Sequence, residues 1–311
     1  MLGARQMKCA DERRDVMQTM DTKNGTIEFE MTKGELPTIL SVHGGLGGAD
    51  QARVMVSWLD EDQYRLLCPS RPGYLGTPLE SGKTVEEQAD LLAALLDELK
   101  IDKVGCVCAS AGGPPAYMFA IRHPDRVWGL VAIDSVSGYY DMPETAGPIV
   151  QLLFLSPLGQ KLNKILSEKK PEMFLQQMYQ SEAYFTKEQL DRHVKFVIKA
   201  PGGLEFVKAF MDTMYPYDKR KAGTDNDMVQ YKKLTHLPVE KIKCPCLIIH
   251  GTHDADVKFF DGVYAYEHIP NAERYWIEEG SHLGFWLSPH AGQAQQAAHN
   301  FLDRCLRNHA G

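Results

Sequence analysis

The sequence predicts an α/β architecture, a mostly parallel central sheet flanked by helices, with a block of helices inserted after the central strands. Three observations point there. Short apolar runs alternate with stretches of helical period through the first half of the chain, as strands joined by crossover helices do. Between residues 135 and 237 that rhythm gives way to helix-like segments rich in methionine and aromatics, broken at Pro157, Pro171, Pro201 and Pro216. The chain's 311 residues, 44% of them hydrophobic, are also enough to bury a full core.

The elements follow in order. Residues 1–24 carry charges throughout and no apolar core segment, so a flexible, loosely held start that is not a secretory signal is expected. The core is expected over 25–134 and 238–311, and the helical block over 135–237. Strands are predicted at "TILSVH" (38–43), "YRLLC" (64–68), "KVGCVCA" (103–109) and "VWGLVAID" (127–134). Between the second and third of these, Val85, Ala89, Leu92, Leu96 and Leu99 recur at helical spacing, and Thr84 with Glu87 forms a capping box. A second helix must follow Ser110, because "AGGPPAYMFAIRHPDR" is the right length for one crossover. Strand rhythm returns at "CLIIHG" (246–251) and "ERYWIEEG" (273–280), and a last helix is expected from Pro289 to Arg307. The polar "KRKAGTDNDM" (219–228) reads as a solvated connection.

Composition removes whole classes of function. A formal charge of -7 with no basic run leaves no footprint for nucleic acid or anionic lipid, and no segment has transmembrane length. Seven cysteines in no metal or redox spacing read as buried thiols in a reducing compartment; alternation puts Cys106 with Cys108, and Cys244 with Cys246, on one strand face. A cytoplasmic protein acting on a small molecule, with self-association open, is the expectation.

In an open parallel sheet, ligands bind beyond the carboxyl ends of the strands. Four loops there carry suggestive residues. "HGGLGG" (43–48) offers flexible backbone and free N–H groups. "CASAG" places Ser110 at an abrupt strand-to-helix turn among Ala109, Ala111, Gly112 and Gly113; Pro114 and Pro115 fit only the first turn of the helix that follows. "HGTHDADV" supplies Asp254, with Asp256 as its nearest competitor, and "EGSHLGFW" supplies His282. A serine, an acid and a histidine, each in a post-strand loop and in that chain order, form the pattern of a Ser-acid-His triad.

These segments, with "SRPGYLGTPL" (70–79) and "RHPDRV" (122–127), resemble the α/β-hydrolase fold family, and within it the capped group that includes proline iminopeptidases, esterases and carbon–carbon bond hydrolases. The resemblance implies a helical cap inserted after the sixth strand. It also implies Ser110 as nucleophile, His282 as general base, Asp254 as the orienting carboxylate, and an oxyanion hole from the N–H groups of Ala111 and Gly45, with Leu46 as the neighbouring alternative. Some relatives carry their acid at the place of Asp134. No metal or organic cofactor is implied. The sequence departs from the family at Cys108, where glycine is usual, and in lacking the tryptophan that proline iminopeptidases place after the nucleophile.

The expected activity is hydrolysis of a small to medium, largely apolar carboxylic ester. The cap's Met173, Phe174, Met178, Tyr179, Tyr184, Phe185, Phe206, Phe210, Met211 and Met214 are expected mostly to pack, some of them lining a pocket. Peptide or amide cleavage of the proline-iminopeptidase kind is the alternative and would need a cap acid for the substrate amine; Glu172, Glu182 and Glu205 are available. A carbon–carbon bond hydrolase is a third possibility, and a ligand receptor on the same fold a non-enzymatic one.

Overall fold

The computed structural model describes residues 17–141, 147 and 152–310. Its frame is an eight-stranded sheet in the order β1-β2-β4-β3-β5-β6-β7-β8, formed by Gln18–Thr22 (β1), Gly25–Met31 (β2), Thr38–Val42 (β3), Arg65–Pro69 (β4), Val104–Ala109 (β5), Val127–Ile133 (β6), Cys246–Gly251 (β7) and Glu273–Ile277 (β8). β1 and β2 pair antiparallel, as do β2 and β4; all other pairs are parallel. The six strands expected from the sequence are present, each to within three residues at its ends.

The N-terminal hairpin corrects the expected domain start. Residues 18–22 are not a loose lead-in but a strand paired from Gln18↔Phe29 to Thr22↔Gly25, while residues 1–16 lie outside the described residues. Two signals were available: Asn24-Gly25 between the strands, and Ile27 and Phe29, which alternate with polar neighbours and are fully buried. Gly25 has φ +129°, a backbone conformation costly for any other residue.

Helices Ala49–Met55 (α1), Val85–Glu98 (α2), Gly113–Arg122 (α3), Phe259–His268 (α9), Gly284–Leu287 (α10) and Ala291–Ala310 (α11) belong to the α/β layers. The capping box of α2 is formed as expected, with the Glu87 N–H donating to Thr84 Oγ1 and the Thr84 N–H to Glu87 Oε2. Strand alternation separates two cores. One face of β5 gives Cys106 and Cys108 to a cluster with α2 and α3, and the other gives Val107 and Ala109 to a cluster with α11. The six described cysteines are buried, and no disulfide joins them.

Between β6 and β7 run Pro157–Lys169 (α4), Pro171–Glu182 (α5), Lys187–Lys199 (α6), Gly203–Asp212 (α7) and Lys221–Tyr231 (α8). Their third core holds Phe174, Met178, Tyr179 and Met211 and closes on Leu283 and Leu287 beside α10. The polar 219–228 stretch is corrected here: most of it is helix α8, and its Arg220 and Asp227 are buried. Paired charges, unreadable from local polarity, let so hydrophilic a segment turn inward. No described helix is long and apolar enough to cross a membrane.

Candidate active site

The chain leaves β3 for β4 on one side and reaches β5 on the other, so the loops after β3 and β5 flank a topological switch point. Ser110 follows β5 directly and adopts φ +53°, a left-handed conformation that costs a non-glycine residue about 1–3 kcal/mol. The surroundings enforce it. A Cβ on Gly112 would come within 2.4 Å of the Val42 carbonyl oxygen, and one on Gly113 within 2.5 Å of the Val136 carbonyl oxygen. Both contacts are with backbone, so Gly112→Ala should destabilise the fold by about 1–3 kcal/mol in thermal denaturation. An unchanged Tm would mean that residues 42–43 give way.

Cys108 does not crowd this turn. Its thiol is buried in the α2/α3 core, 3.6 Å from Ser135 Oγ, and burial pushes it up to about 12, far from a reactive thiolate.

The glycine loop lies against the turn. A Cβ on Gly44 would stand 3.2 Å from Ser110 Cβ, and one on Gly45 3.9 Å from Ala111 Cβ. Arg71 fixes the loop from behind: Nε donates to the His43 carbonyl at 3.1 Å and Nη2 to the Gly44 carbonyl at 3.0 Å. The Gly44 carbonyl and the Gly45 N–H belong to one rigid peptide plane, so pinning the first aims the second. Arg71 is buried and pairs with Asp227 of α8 through two bonds of 2.8 and 2.7 Å. Burial opposes its charge, but Asp227 outweighs it and holds the guanidinium well above its ordinary range. Tyr74 donates to Asp227 at 2.7 Å, and Tyr231 of α8 donates to the Ala111 carbonyl at 2.5 Å. A second buried arginine, Arg220, runs the opposite way, donating to the Gly47 carbonyl at 2.6 Å and pairing with Asp50.

The histidine and acid come together. His282 Nδ1 lies 2.8 Å from Asp254 Oδ2, and Asp254 Oδ1 accepts from the N–H groups of Asp256 and Val257. Burial alone would raise the Asp254 carboxyl, but His282 and His250 outweigh it and hold it below the usual carboxylate range. Asp134 does not reach His282 in a hydrogen bond; its Oδ1 accepts from the Gly251 N–H at 2.7 Å, and burial pushes it up to about 7, offset in part by His250. Asp256 approaches the other ring nitrogen, with Oδ2 3.3 Å from His282 Nε2.

One cavity of ≈ 170 Å³ gathers Gly45, Leu46, Ser110, Ala111 and His282, walled by Phe210, Met214 and Tyr231 from the inserted block. Of the cap's ten named methionines and aromatics, only Phe210 and Met214 face it; Phe174, Met178, Tyr179 and Met211 pack in the core, and Met173 and Tyr184 are exposed. Of the three candidate glutamates named for the cap, Glu182 lines the cavity while Glu172 and Glu205 are exposed. Glu182 Oε2 is buried with no hydrogen-bond partner, and burial pushes the acid up to about 8.

A model of the alpha/beta hydrolase fold family matches residues 37–289. The chain belongs to that family. This α/β hydrolase is 28% identical over 289 residues to an uncharacterized hydrolase of Bacillus subtilis, YcgS, covering 92% of this chain and 98% of that one. It is 26% identical over 248 residues to a 2-hydroxy-6-oxononadienedioate/2-hydroxy-6-oxononatrienedioate hydrolase of Burkholderia vietnamiensis, covering 78% of this chain and 77% of the relative. Among solved structures, the alpha/beta hydrolase fold protein of Nakamurella multipartita superposes with a TM-score of 0.86 at 34% identity, over 92% of this chain and 99% of that one. These relatives support a hydrolytic enzyme.

Local sequence assigns no role to Arg71, Asp227 or Tyr231, although Arg71 lies within one of the family-like segments. A basic residue with no exposed neighbour of opposite charge gives no local sign of a partner 156 positions away.

Proposed function

We propose that this α/β hydrolase cleaves a small to medium, largely apolar carboxylic ester through an acyl-enzyme on Ser110. The observation that carries the reading is the cavity in which Ser110, His282 and the Gly45 and Ala111 backbones meet, with Asp254 behind the imidazole. In the forward step Ser110 Oγ bonds to the ester carbonyl carbon as His282 Nε2 takes its proton. The carbonyl oxygen becomes an oxyanion facing the Gly45 and Ala111 N–H groups, a contact worth about 3 kcal/mol per donor. Collapse expels the alkoxide, which takes the proton from His282; water then repeats the cycle on the acyl-enzyme. No cofactor enters this scheme. A cytoplasmic site of action accords with buried cysteines that form no disulfide.

A second reading, cleavage of an amide or ester bearing an amine, draws support from the unpartnered Glu182 carboxyl in the cavity wall, whose proton an entering free amine would take to form an ion pair. Carbon–carbon bond hydrolysis of a dicarboxylate, a substrate class like the dioate in the Burkholderia relative's name, draws less: Arg71 and Arg220 are already paired, with Asp227 and Asp50. The test is fluorophosphonate labelling of Ser110, followed by a panel of p-nitrophenyl esters of rising chain length beside aminoacyl anilides. Labelling at Ser110 with faster ester turnover is the expected result. Faster anilide turnover would overturn the ester reading in favour of the amine-bearing one.

A further inference from the structure

The carboxylate of Asp256 stands near the side of His282 that acyl transfer needs. Nε2, the nitrogen that must accept the Ser110 proton, lies 3.3 Å from Asp256 Oδ2, while Nδ1 is taken by Asp254 at 2.8 Å. Among the described residues Ser110 Oγ forms no hydrogen bond. Asp256 is itself held in place, because Tyr140 Oη donates to its Oδ1 at 2.6 Å and its own N–H is tied to Asp254 Oδ1. Nδ1 is hydrogen-bonded to Asp254, and the Asp256 carboxylate stands at ion-pair distance from Nε2, so the ring lies between two anions that favour the imidazolium through charge.

We propose that Asp256 is a positioning residue that holds His282 as an imidazolium in the resting enzyme, so that the pH at which the base becomes free is set by two carboxylates rather than one. The inference rests on the reading of Ser110 as nucleophile and His282 as its base. The groups facing His282 come from four elements. Asp254 and Asp256 stand in the loop after β7, His250 within β7, Asp134 after β6, and Glu182 at the end of α5. Tyr140 acts through Asp256. Burial opposes charge on His282, and Asp254, then Asp256, outweigh it. Glu182, held up to about 8, is largely a neutral acid at neutral pH and adds little to this field. Ester turnover then requires His282 to lose the proton that this pair of anions favours, before Nε2 can accept from Ser110.

The sign follows directly. A second anion at the ring favours the protonated form, so it moves the acid limb of the rate profile to higher pH. The experiment measures kcat/KM for p-nitrophenyl butyrate and the rate of fluorophosphonate labelling of Ser110 from acid to alkaline pH, in the wild type and in Asp256→Asn, Asp256→Ser and Asp256→Glu. In both neutral variants the acid limb should move down by about 1 pH unit, making each about 10-fold faster on that limb relative to its own plateau. Asp256→Glu should restore the wild-type limb. Limbs that superimpose on the wild type, or move up, while Ser110 still labels would overturn the role of Asp256 and leave the nucleophile standing. Failure of Ser110 to label in the wild type would sink the nucleophile assignment, and this inference with it.

Discussion

Ser110→Ala lowers kcat/KM toward a p-nitrophenyl ester by on the order of 10⁴-fold or more and abolishes fluorophosphonate labelling. The size of the loss follows from what the substitution leaves behind. His282 and the two N–H donors remain, so bound ester still meets a polarising site, but no oxygen is held within reach of its carbonyl. Water must then attack without the positional advantage that the strained turn gives the serine. The substituted alanine would keep φ near +53° at some cost, since Gly112 still packs the turn against β3 and Gly113 against Val136, and the fold should survive. Residual activity within about 10-fold of wild type would mean that another group carries the chemistry.

Asp227→Ala should cost about 3–5 kcal/mol of stability, read as a large fall in Tm, because the buried Arg71 guanidinium loses the carboxylate that neutralises it. A second effect should fall on kcat. Arg71 pins the Gly44 carbonyl and thereby aims the Gly45 N–H, and Asp227 holds Arg71 in that pose. The protein that remains folded should therefore lose turnover more than substrate affinity, up to the roughly 10²–10³-fold that removal of one oxyanion donor costs. The paired replacement Arg71→Met with Asp227→Leu separates the two effects. Stability should return, since apolar residues of similar volume often match a buried ion pair, while turnover should stay low. Recovery of both would show that the pair only fills space.

The α/β rhythm, the helical block and the convergence of Asp254 with His282 were readable in the sequence, because each rests on local periodicity or on position after a strand. The chain order of Ser110, Asp254 and His282 was enough to place all three beyond strand ends. Long-range pairing was not readable. Arg71 and Asp227 look like surface residues in their own neighbourhoods, and Arg220 sits in a stretch whose polarity suggested solvent. The β1–β2 hairpin escaped for a different reason: β1 is half-exposed, with no apolar stripe to announce it. Asp256 was legible as a carboxylate near the site, but which ring nitrogen it would face depends on a loop geometry that spacing does not encode.

The inserted helices also touch the acid and histidine loops through the main chain. The Glu182 carbonyl accepts from the N–H groups of Ala255 and His282, and the Tyr184 N–H donates to the His253 carbonyl. Ala183 and Asp254 form an antiparallel bridge. The cap is therefore not an interchangeable module clipped onto a finished enzyme. Its strand-like stitch at 182–184 is shared scaffolding, so transplanting a foreign cap to change specificity would carry the alignment of the acid and base along with the pocket. Engineering of this chain is better directed at cavity-facing positions such as Phe210 and Met214, away from that seam.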